Sequence, residues 1–212
     1  MLARMFLRKF SWVLVLLGFT AYLPGQNEKD SPEVAPGITL PTTGTIYGVD
    51  LVKQKPTLLQ IHPTEITHNT HAGSNFARAQ VFAGPHATTE LKGISSAATF
   101  HTSEIVLYVR LSGEDELRRN RVKLLHLTQK KDARIVSDFS MNIFGGQKTR
   151  RFEEVEVAKS DVAGTEWLKL TPQSLLEPGE YGIVFMPKDA DLFADAVYDF
   201  SVAGDPLPRK TK

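Results

Sequence analysis

The densest group of residues suited to binding a metal ion is a set of histidines in one short stretch. His62, His68 and His71 lie close together, with the carboxylate of Glu65 among them. Imidazole nitrogens and carboxylate oxygens are common zinc ligands, and three-residue spacing would place His68 and His71 on one face of a helix. The stretch contains Gly73 and lacks both cysteine and an H-E-x-x-H motif. These histidines are weak candidates for a metal site, and we expect no metal and no other cofactor.

Patterns typical of hydrolases are missing from the sequence. No G-x-S-x-G motif is present, so a strained-turn serine nucleophile is not indicated. Acidic pairs such as Asp189 with Asp191, or Glu153 with Glu154, have the residue types of a glycosidase dyad. Acidic residues in strands are more often a solvated face. We therefore expect no catalytic residue, and a hydrolase with its site on loops is the alternative.

Two further features are candidates for a ligand surface. Arg118, Arg119 and Arg121 form a basic cluster with Lys123. The cluster could form a patch that attracts an anionic lipid or polysaccharide, together with the cations at positions 130, 131 and 134 and at 148, 150 and 151. The competing interpretation is that such cations decorate strand edges and prevent edge-to-edge pairing. Trp167 shares its strand parity with the polar Lys169, which favours an exposed ring able to stack on a sugar. A carbohydrate-binding module is therefore a second alternative.

The first 26 residues predict export. Arg4, Arg8 and Lys9 precede an apolar run over 10–23, and small residues with a proline follow. A membrane-spanning helix needs about 20 apolar residues, so this run favours a cleaved signal peptide. Retention of residues 10–23 as a membrane anchor is the alternative. The expected location is periplasmic or secreted.

Composition narrows the partners of the exported part. Removing residues 1–26 takes away three of the 25 basic residues and none of the 24 acidic ones, which leaves a formal charge of −2. A nearly neutral domain gives no reason to expect nucleic acid as a partner. The chain has no cysteine, so core packing must hold the domain together without disulfides. An envelope protein or a polysaccharide is the expected partner.

The remaining chain divides into three parts. Residues 27–45 are polar and broken by prolines, which predicts a flexible linker. Residues 46–204 contain short runs rich in Val, Ile, Tyr, Phe and Thr, separated by turn residues, and residues 205–212 are expected to be a disordered tail. The predicted strands are 46–53, 57–62, 78–83, 98–101, 105–111, 122–128, 134–139, 151–157, 167–171, 181–186 and 197–202. The pattern predicts an all-β fold, an antiparallel β-sandwich-like domain.

Three strands carry more specific predictions. The run 105–111 is apolar at both parities, which favours a central strand covered on both faces. Glu177–Glu180 has Pro and Gly at the central positions of a type II turn, which would join strand 167–171 to strand 181–186 as antiparallel neighbours. In the last strand Tyr198 and Phe200 share one parity, and Asp199 is predicted to face water.

The C-terminal third carries a resemblance. Leu176-Glu-Pro-Gly-Glu-Tyr181 followed by Val197-Tyr-Asp-Phe-Ser-Val202 resembles the L-x-P-G-E-Y and Y-D-F-x-V ending of a loose set of uncharacterised exported bacterial proteins. The resemblance implies a β-rich envelope or secreted protein and carries over no catalytic residue. Together with the signal, it leads us to expect a binding or interaction domain in the cell envelope.

Overall fold

The computed structural model describes residues 31–69, 85–111, 116–141, 148–188 and 194–203, with the side chains of 116–118 excepted. Strands and helices are numbered here in chain order. Within these residues the fold contains one short helix, α1, at Glu116–Arg121; all the other regular elements are strands. Across the described ranges, we find no helix with the length and apolarity needed to cross a membrane. The predicted signal over 1–26 and the tail over 205–212 lie outside these residues.

A five-stranded antiparallel sheet forms one layer. Its spatial order is β14 (Val157–Asp161), β15 (Trp167–Pro172), β9 (Val106–Arg110), β3 (Ile46–Val52) and β4 (Lys55–Ile61). The strand β9 lies in the centre, and it buries Leu107 on one face of the sheet and Tyr108 on the other. The prediction of a central strand covered on both faces is confirmed.

A ten-stranded sheet forms the rest of the domain. Its main path is β5 (Pro63–Glu65), β17 (Ala196–Val202), β16 (Gly179–Phe185), β10 (Val122–Gln129), β11 (Ala133–Met141), β7 (His86–Lys92) and β6 (Thr67–Asn69). Three further strands pair beside this path: β8 (Thr99–Phe100) with β17, β12 (Lys148–Arg151) with β11, and β13 (Glu153–Val155) with β10. The two end strands, β5 and β6, are separated only by Ile66. The path therefore closes on itself, and we call it the closed sheet.

The two sheets pack face to face, as a sandwich does. The shared core takes Leu107 and Leu170 from the five-stranded sheet, and Leu124, Ile183 and Phe200 from the closed sheet. All five are fully buried. Burial of such side chains contributes roughly 1.5–3 kcal/mol each. The prediction of an all-β, antiparallel, sandwich-like fold is confirmed.

One glycine permits the close approach of the two sheets. Phe100 packs against Phe200 with its ring edge, at 5.1 Å between centroids. A Cβ on Gly48 of β3 would lie 2.3 Å from the Phe100 ring. Only a residue without a side chain fits here.

The other face of the five-stranded sheet is covered by the N-terminal segment. Residues of the predicted linker form a two-stranded hairpin, β1 (Glu33–Ala35) and β2 (Ile38–Thr39). Leu40 follows it and is fully buried against Tyr47, Tyr108 and Trp167. The prediction of a flexible linker is therefore wrong for 33–40, because this apolar face needs a cover and the segment supplies Leu40 and Val34.

The last strand corrects a second prediction. Phe200 and Val202 face the sandwich core, as expected. Asp199, however, is only 3% exposed, because it points into the interior of the closed sheet. Water does not reach this face, since the sheet curls around it.

The predicted turn at Glu177–Glu180 is also wrong. The strand β15 belongs to the five-stranded sheet, whereas β16 pairs with β10 and β17 in the closed sheet. The segment therefore links the two sheets instead of joining neighbouring strands. Gly179 already belongs to β16, and its φ is not positive.

Most other predicted strands have their counterpart, with differences at three places. The short strands β5 and β6 were not predicted. The stretch 148–161 forms three consecutive short strands where one strand over 151–157 was predicted. The strand β7 was not predicted, because its Thr-Thr-Glu centre lacks apolar alternation. The predicted strand 78–83 lies outside the described residues.

Candidate functional site

The predicted histidine cluster does not assemble in the described residues. His62 is exposed between β4 and β5, and His68 is exposed on β6, where its Nδ1 lies 3.5 Å from the hydroxyl of Thr89. Within the part of the chain that the structure describes, no group of three His, Cys, Asp or Glu could hold a metal ion. His71 lies outside that part.

Trp167 is not a ligand surface. Its side chain is 2% exposed, and its ring packs edge-on against Tyr47 with 5.8 Å between centroids. Leu40 covers it from the N-terminal segment. The prediction of an exposed Trp167 ring from the polar Lys169 was wrong, because alternation along a strand does not show which face is covered by a segment distant in sequence.

The arginine cluster is used within the molecule. Arg119 donates to the Asp161 carboxylate at 2.7 Å and to the Lys159 carbonyl at 3.1 Å, and Arg121 donates to the Met186 carbonyl at 3.2 Å. These contacts fasten α1 to β14 and to the end of β16. Arg118 also lies in α1. Arg119 and Arg121 of the predicted basic surface are therefore committed to holding the helix.

A cleft forms where the hairpin β10–β11 splays apart. The two strands pair only near their turn, at Thr128 with Ile135 and at Gln129 with Arg134. The strand β11 pairs with β7 along most of its length, with a bulge between Ile135 and Ser137, and beyond this bulge it no longer pairs with β10. A β-bulge bends its strand and increases the local twist, which explains the divergence.

A third segment crosses the opening between the two strands. The strand β12 pairs with β11, with Arg151 opposite Asp138, and the next strand, β13, pairs with β10, with Glu153 opposite His126. Phe152 lies at the crossing point and packs into the apolar interior of the closed sheet. The crossing segment thus fills the opening and leaves a cleft above it, which we call the splay cleft.

The splay cleft has a volume of about 430 Å³. Val136, Ser137 and Phe152 belong to its floor, because their side chains face the interior of the closed sheet. The walls carry polar side chains from the outer face of that sheet. The wall residues are Thr88, His126, Thr128, Lys130, Ile135, Asp138, Arg151 and Glu153.

Two histidine–carboxylate pairs hold the walls. His126 Nδ1 lies 2.8 Å from Glu153 Oε2, and this contact joins β10 to the crossing segment. His86 Nε2 lies 2.6 Å from Asp138 Oδ2, and this contact joins β7 to β11. Both carboxylates of the cleft therefore have a partner.

The two cations of the cleft have no such partner. Lys130 and Arg151 are exposed, and their side chains make no ion pair with any residue that the structure describes. Arg151 lies directly opposite Asp138, but His86 already occupies that carboxylate. One lysine at the hairpin turn and one arginine on the crossing segment are thus available to a ligand.

The floor contains an unsatisfied polar group. Ser137 is 2% exposed, and its buried Oγ has no hydrogen-bond partner among the described residues. Such a group costs about 1–3 kcal/mol, and most buried polar atoms avoid this cost. An unpaired buried hydroxyl therefore marks this floor as unusual.

Beside the cleft, the ring of Tyr181 lies 5.2 Å from the ring of His126. Burial raises the pKa of Tyr181, and the nearby charges of Glu177 and Glu153 raise it further. Its hydroxyl donates to the Glu177 carbonyl at 2.9 Å. Tyr181 is thus a fixed neutral support for the His126 ring.

Inside the closed sheet lies a buried ionic cluster of Arg134, Glu180 and Asp199. These residues are 2–4% exposed. Arg134 contacts Asp199 directly and Glu180 at 3.3 Å, and Glu180 also accepts bonds from the Ser96 amide and the Ser201 hydroxyl. Because Arg134 lies just before the bulge of β11, the cluster fixes the point from which the hairpin splays.

A second cavity, of about 460 Å³, lies beside Arg110, Asp195 and Tyr198. The guanidinium of Arg110 already has partners within the protein, since it contacts the Glu166 carboxylate at 3.2 Å and the Thr42 carbonyl. The splay cleft is therefore the stronger candidate.

The sequence placed Lys130 and Arg151 in a possible basic patch but did not predict the cleft or its other residues. Glu153 was assigned to a solvated face, and Ser137 and His126 were only parts of strands. The one available signal was Phe152, an aromatic residue between the charged Arg151 and Glu153, which is typical of a strand with one buried position.

Comparisons with protein-family models, with curated proteins and with solved structures find no match to this chain.

Proposed function

We propose that this protein is an exported binding domain of the cell envelope, and that it binds a polar ligand in the splay cleft. Export rests on the basic and apolar pattern of residues 1–26. The binding role rests on the cleft itself. An envelope polysaccharide or an envelope protein is the class of partner.

The observation that carries the proposal is the set of unpartnered polar groups around one cleft. Lys130, Arg151 and the buried hydroxyl of Ser137 all line it. Its volume falls in the range of about 300–1,000 Å³ that is common for ligand sites. Stability alone gives no reason to retain such groups together, whereas ligand binding does.

Binding is favoured over catalysis by the state of the histidines. A hydrolase of the serine type needs a hydroxyl nucleophile hydrogen-bonded to an imidazole. His126 bonds to Glu153, and no described hydroxyl lies within hydrogen-bond distance of its ring. The His126–Glu153 contact instead links two strands.

The test uses polysaccharide fragments released from the envelope of the native host and separated into neutral and acidic pools. We expect one pool to bind the purified protein in isothermal titration calorimetry. The double substitution Lys130→Gln with Arg151→Gln should reduce that binding. The matched control is Lys131→Gln with Arg150→Gln, which changes the same charges one residue away from the cleft.

Three outcomes are distinguishable. Loss of binding in the cleft variant alone supports the proposal. Binding by neither pool, or equal binding by both variants, overturns the cleft as the site. New reducing ends released from a pool by the wild-type protein would replace binding with hydrolysis.

A further inference from the structure

The polar groups of the splay cleft differ in kind, and their arrangement identifies a ligand class. Arg151 presents a planar guanidinium, which pairs with a carboxylate through two parallel hydrogen bonds. Its cross-strand neighbour Asp138 is occupied by His86 at 2.6 Å. One end of the cleft is therefore suited to a carboxylate.

The remaining groups suit hydroxyls. Asp138 and Glu153 each bond to one imidazole, and a carboxylate has room to accept further hydrogen bonds. Thr128 is exposed on the wall and offers a hydroxyl that both donates and accepts. A ligand with several hydroxyl groups satisfies acceptors and donors at once, which a purely anionic ligand does not.

The floor supplies one apolar surface. Phe152 is half-buried: its ring packs into the interior of the closed sheet, 5.5 Å from Lys123 Nζ, and the part that lines the cleft lies between Arg151 and Glu153. The C–H face of a sugar ring packs on such a surface, while its hydroxyls point to the sides. Among ligands with both a carboxylate and hydroxyls, a ring with one apolar face fits best.

The two cations of the cleft match a ligand that brings one or two carboxylates into it. The cleft contains two cations, Lys130 and Arg151, and two carboxylates, Asp138 and Glu153. Two adjoining sugar rings with one carboxylate each would place one negative charge near each cation.

We propose that the splay cleft binds a uronic acid unit of an acidic polysaccharide, with Arg151 holding the carboxylate and Thr128 holding a ring hydroxyl. This inference rests on the proposed function and specifies its ligand. Lys130, at the hairpin turn, meets the carboxylate of an adjoining sugar unit.

The experiment compares two defined probes on the full chain. One is an oligosaccharide of galacturonic acid, and the other is the same oligosaccharide with its carboxylates reduced to alcohols. We expect the acidic probe to bind at least about tenfold more tightly, because a charge-assisted pair is lost in the reduced probe. Raising the salt concentration should weaken only the acidic probe.

Variants locate the contact. Arg151→Gln should weaken the acidic probe by about tenfold or more and leave the reduced probe nearly unchanged. The matched control is Arg150→Gln, since Arg150 lies next in sequence but packs over the Phe139 ring at 5.8 Å. Thermal unfolding of each variant checks that the domain is intact.

Failures of the two proposals separate clearly. Equal binding of both probes overturns the uronic acid inference and leaves a saccharide-binding cleft. Binding of neither probe, with host envelope fragments still bound through the cleft, also overturns the inference alone. If Arg150→Gln and Arg151→Gln weaken the acidic probe equally, the contact is general electrostatic attraction and the inference fails. Absence of all binding overturns both proposals.

Discussion

The buried ionic cluster permits a prediction whose magnitude follows from burial. Arg134, Glu180 and Asp199 are 2–4% exposed, and one guanidinium faces two carboxylates. Replacing Arg134 by Met keeps much of the side-chain volume but leaves two buried carboxylates without a cation. Breaking a buried ion pair in this way costs about 3–5 kcal/mol.

That loss is large beside the total stability of a domain, which is about 5–15 kcal/mol. For a protein of this size each kcal/mol moves the melting temperature by about 2–4 °C, so Arg134→Met should lower it by about 6–20 °C. Thermal unfolding followed by circular dichroism measures the shift. Lys131→Met is the control, because Lys131 is exposed at the turn of the same hairpin.

A second variant tests the cause. The triple substitution Arg134→Met, Glu180→Gln and Asp199→Asn removes all three charges, and we expect it to recover most of the lost stability, because neutral groups are far easier to bury than unpaired charges. The reasoning is refuted if Arg134→Met shifts the melting temperature by less than about 2 °C. It is also refuted if the triple variant is less stable than Arg134→Met alone, since the loss would then come from packing.

Four further perturbations have expected outcomes in thermal or denaturant unfolding. Ser137→Ala should leave stability unchanged or raise it by up to about 1 kcal/mol, because the deleted hydroxyl is buried without a partner; a loss above 1 kcal/mol would show that it has one. Leu40→Ala should cost about 2–5 kcal/mol if the N-terminal segment belongs to the core, and no loss would mean that the segment is dispensable. Gly182→Ala should cost about 1–3 kcal/mol, since its Cβ would lie 2.4 Å from a methyl group of Val197, and an unchanged melting temperature would show that the closed sheet relaxes easily. Burial raises the folded-state pKa of Tyr181, so the stability that this group contributes is complete below about pH 10 and is lost as the pH rises through the folded pKa. The variant Tyr181→Phe should therefore lose less stability than the wild type between neutral and strongly alkaline pH. Equal losses in the two proteins would count against this reasoning.

Local patterns predicted the strands that build the sandwich. The apolar alternation of β16 and of one face of β17, and the two-sided apolar pattern of β9, report burial directly, because strand periodicity and core burial have the same origin. The strands 122–128 and 134–139 were also predicted, and the pairing of Gln129 with Arg134 joins β10 and β11 in a hairpin.

The features that the sequence did not predict depend on contacts between segments that are distant in the chain. Asp199 was predicted to face water because alternation along a strand shows that its two faces differ in polarity, but not whether the polar face meets water. The curling of the sheet around Arg134 cannot be recognised from the residues of one strand. Trp167 was expected at the surface for the same reason, since its cover, Leu40, comes from a segment more than a hundred residues away. The splay cleft needs a bulge, two strand pairings and a crossing segment, and none of these is visible as a motif.

The way strands are shared between sheets explains why the splay cleft is preformed. Residues 148–161 pass from β11 to β10 and then into the five-stranded sheet, where β14 pairs with β15. Arg151 and Glu153 are therefore held in a segment paired at both ends, and Phe152 anchors it between them. On the opposite wall, Asp138 is fixed through His86, and the hairpin is fixed through Arg134. A site whose walls are held by strand pairing and buried contacts loses little conformational entropy when a ligand binds. This is the physical reason to look for function where β10 and β11 diverge. There Lys130 and Arg151, which make no ion pair with the described residues, lie on strands and turns held by backbone pairing.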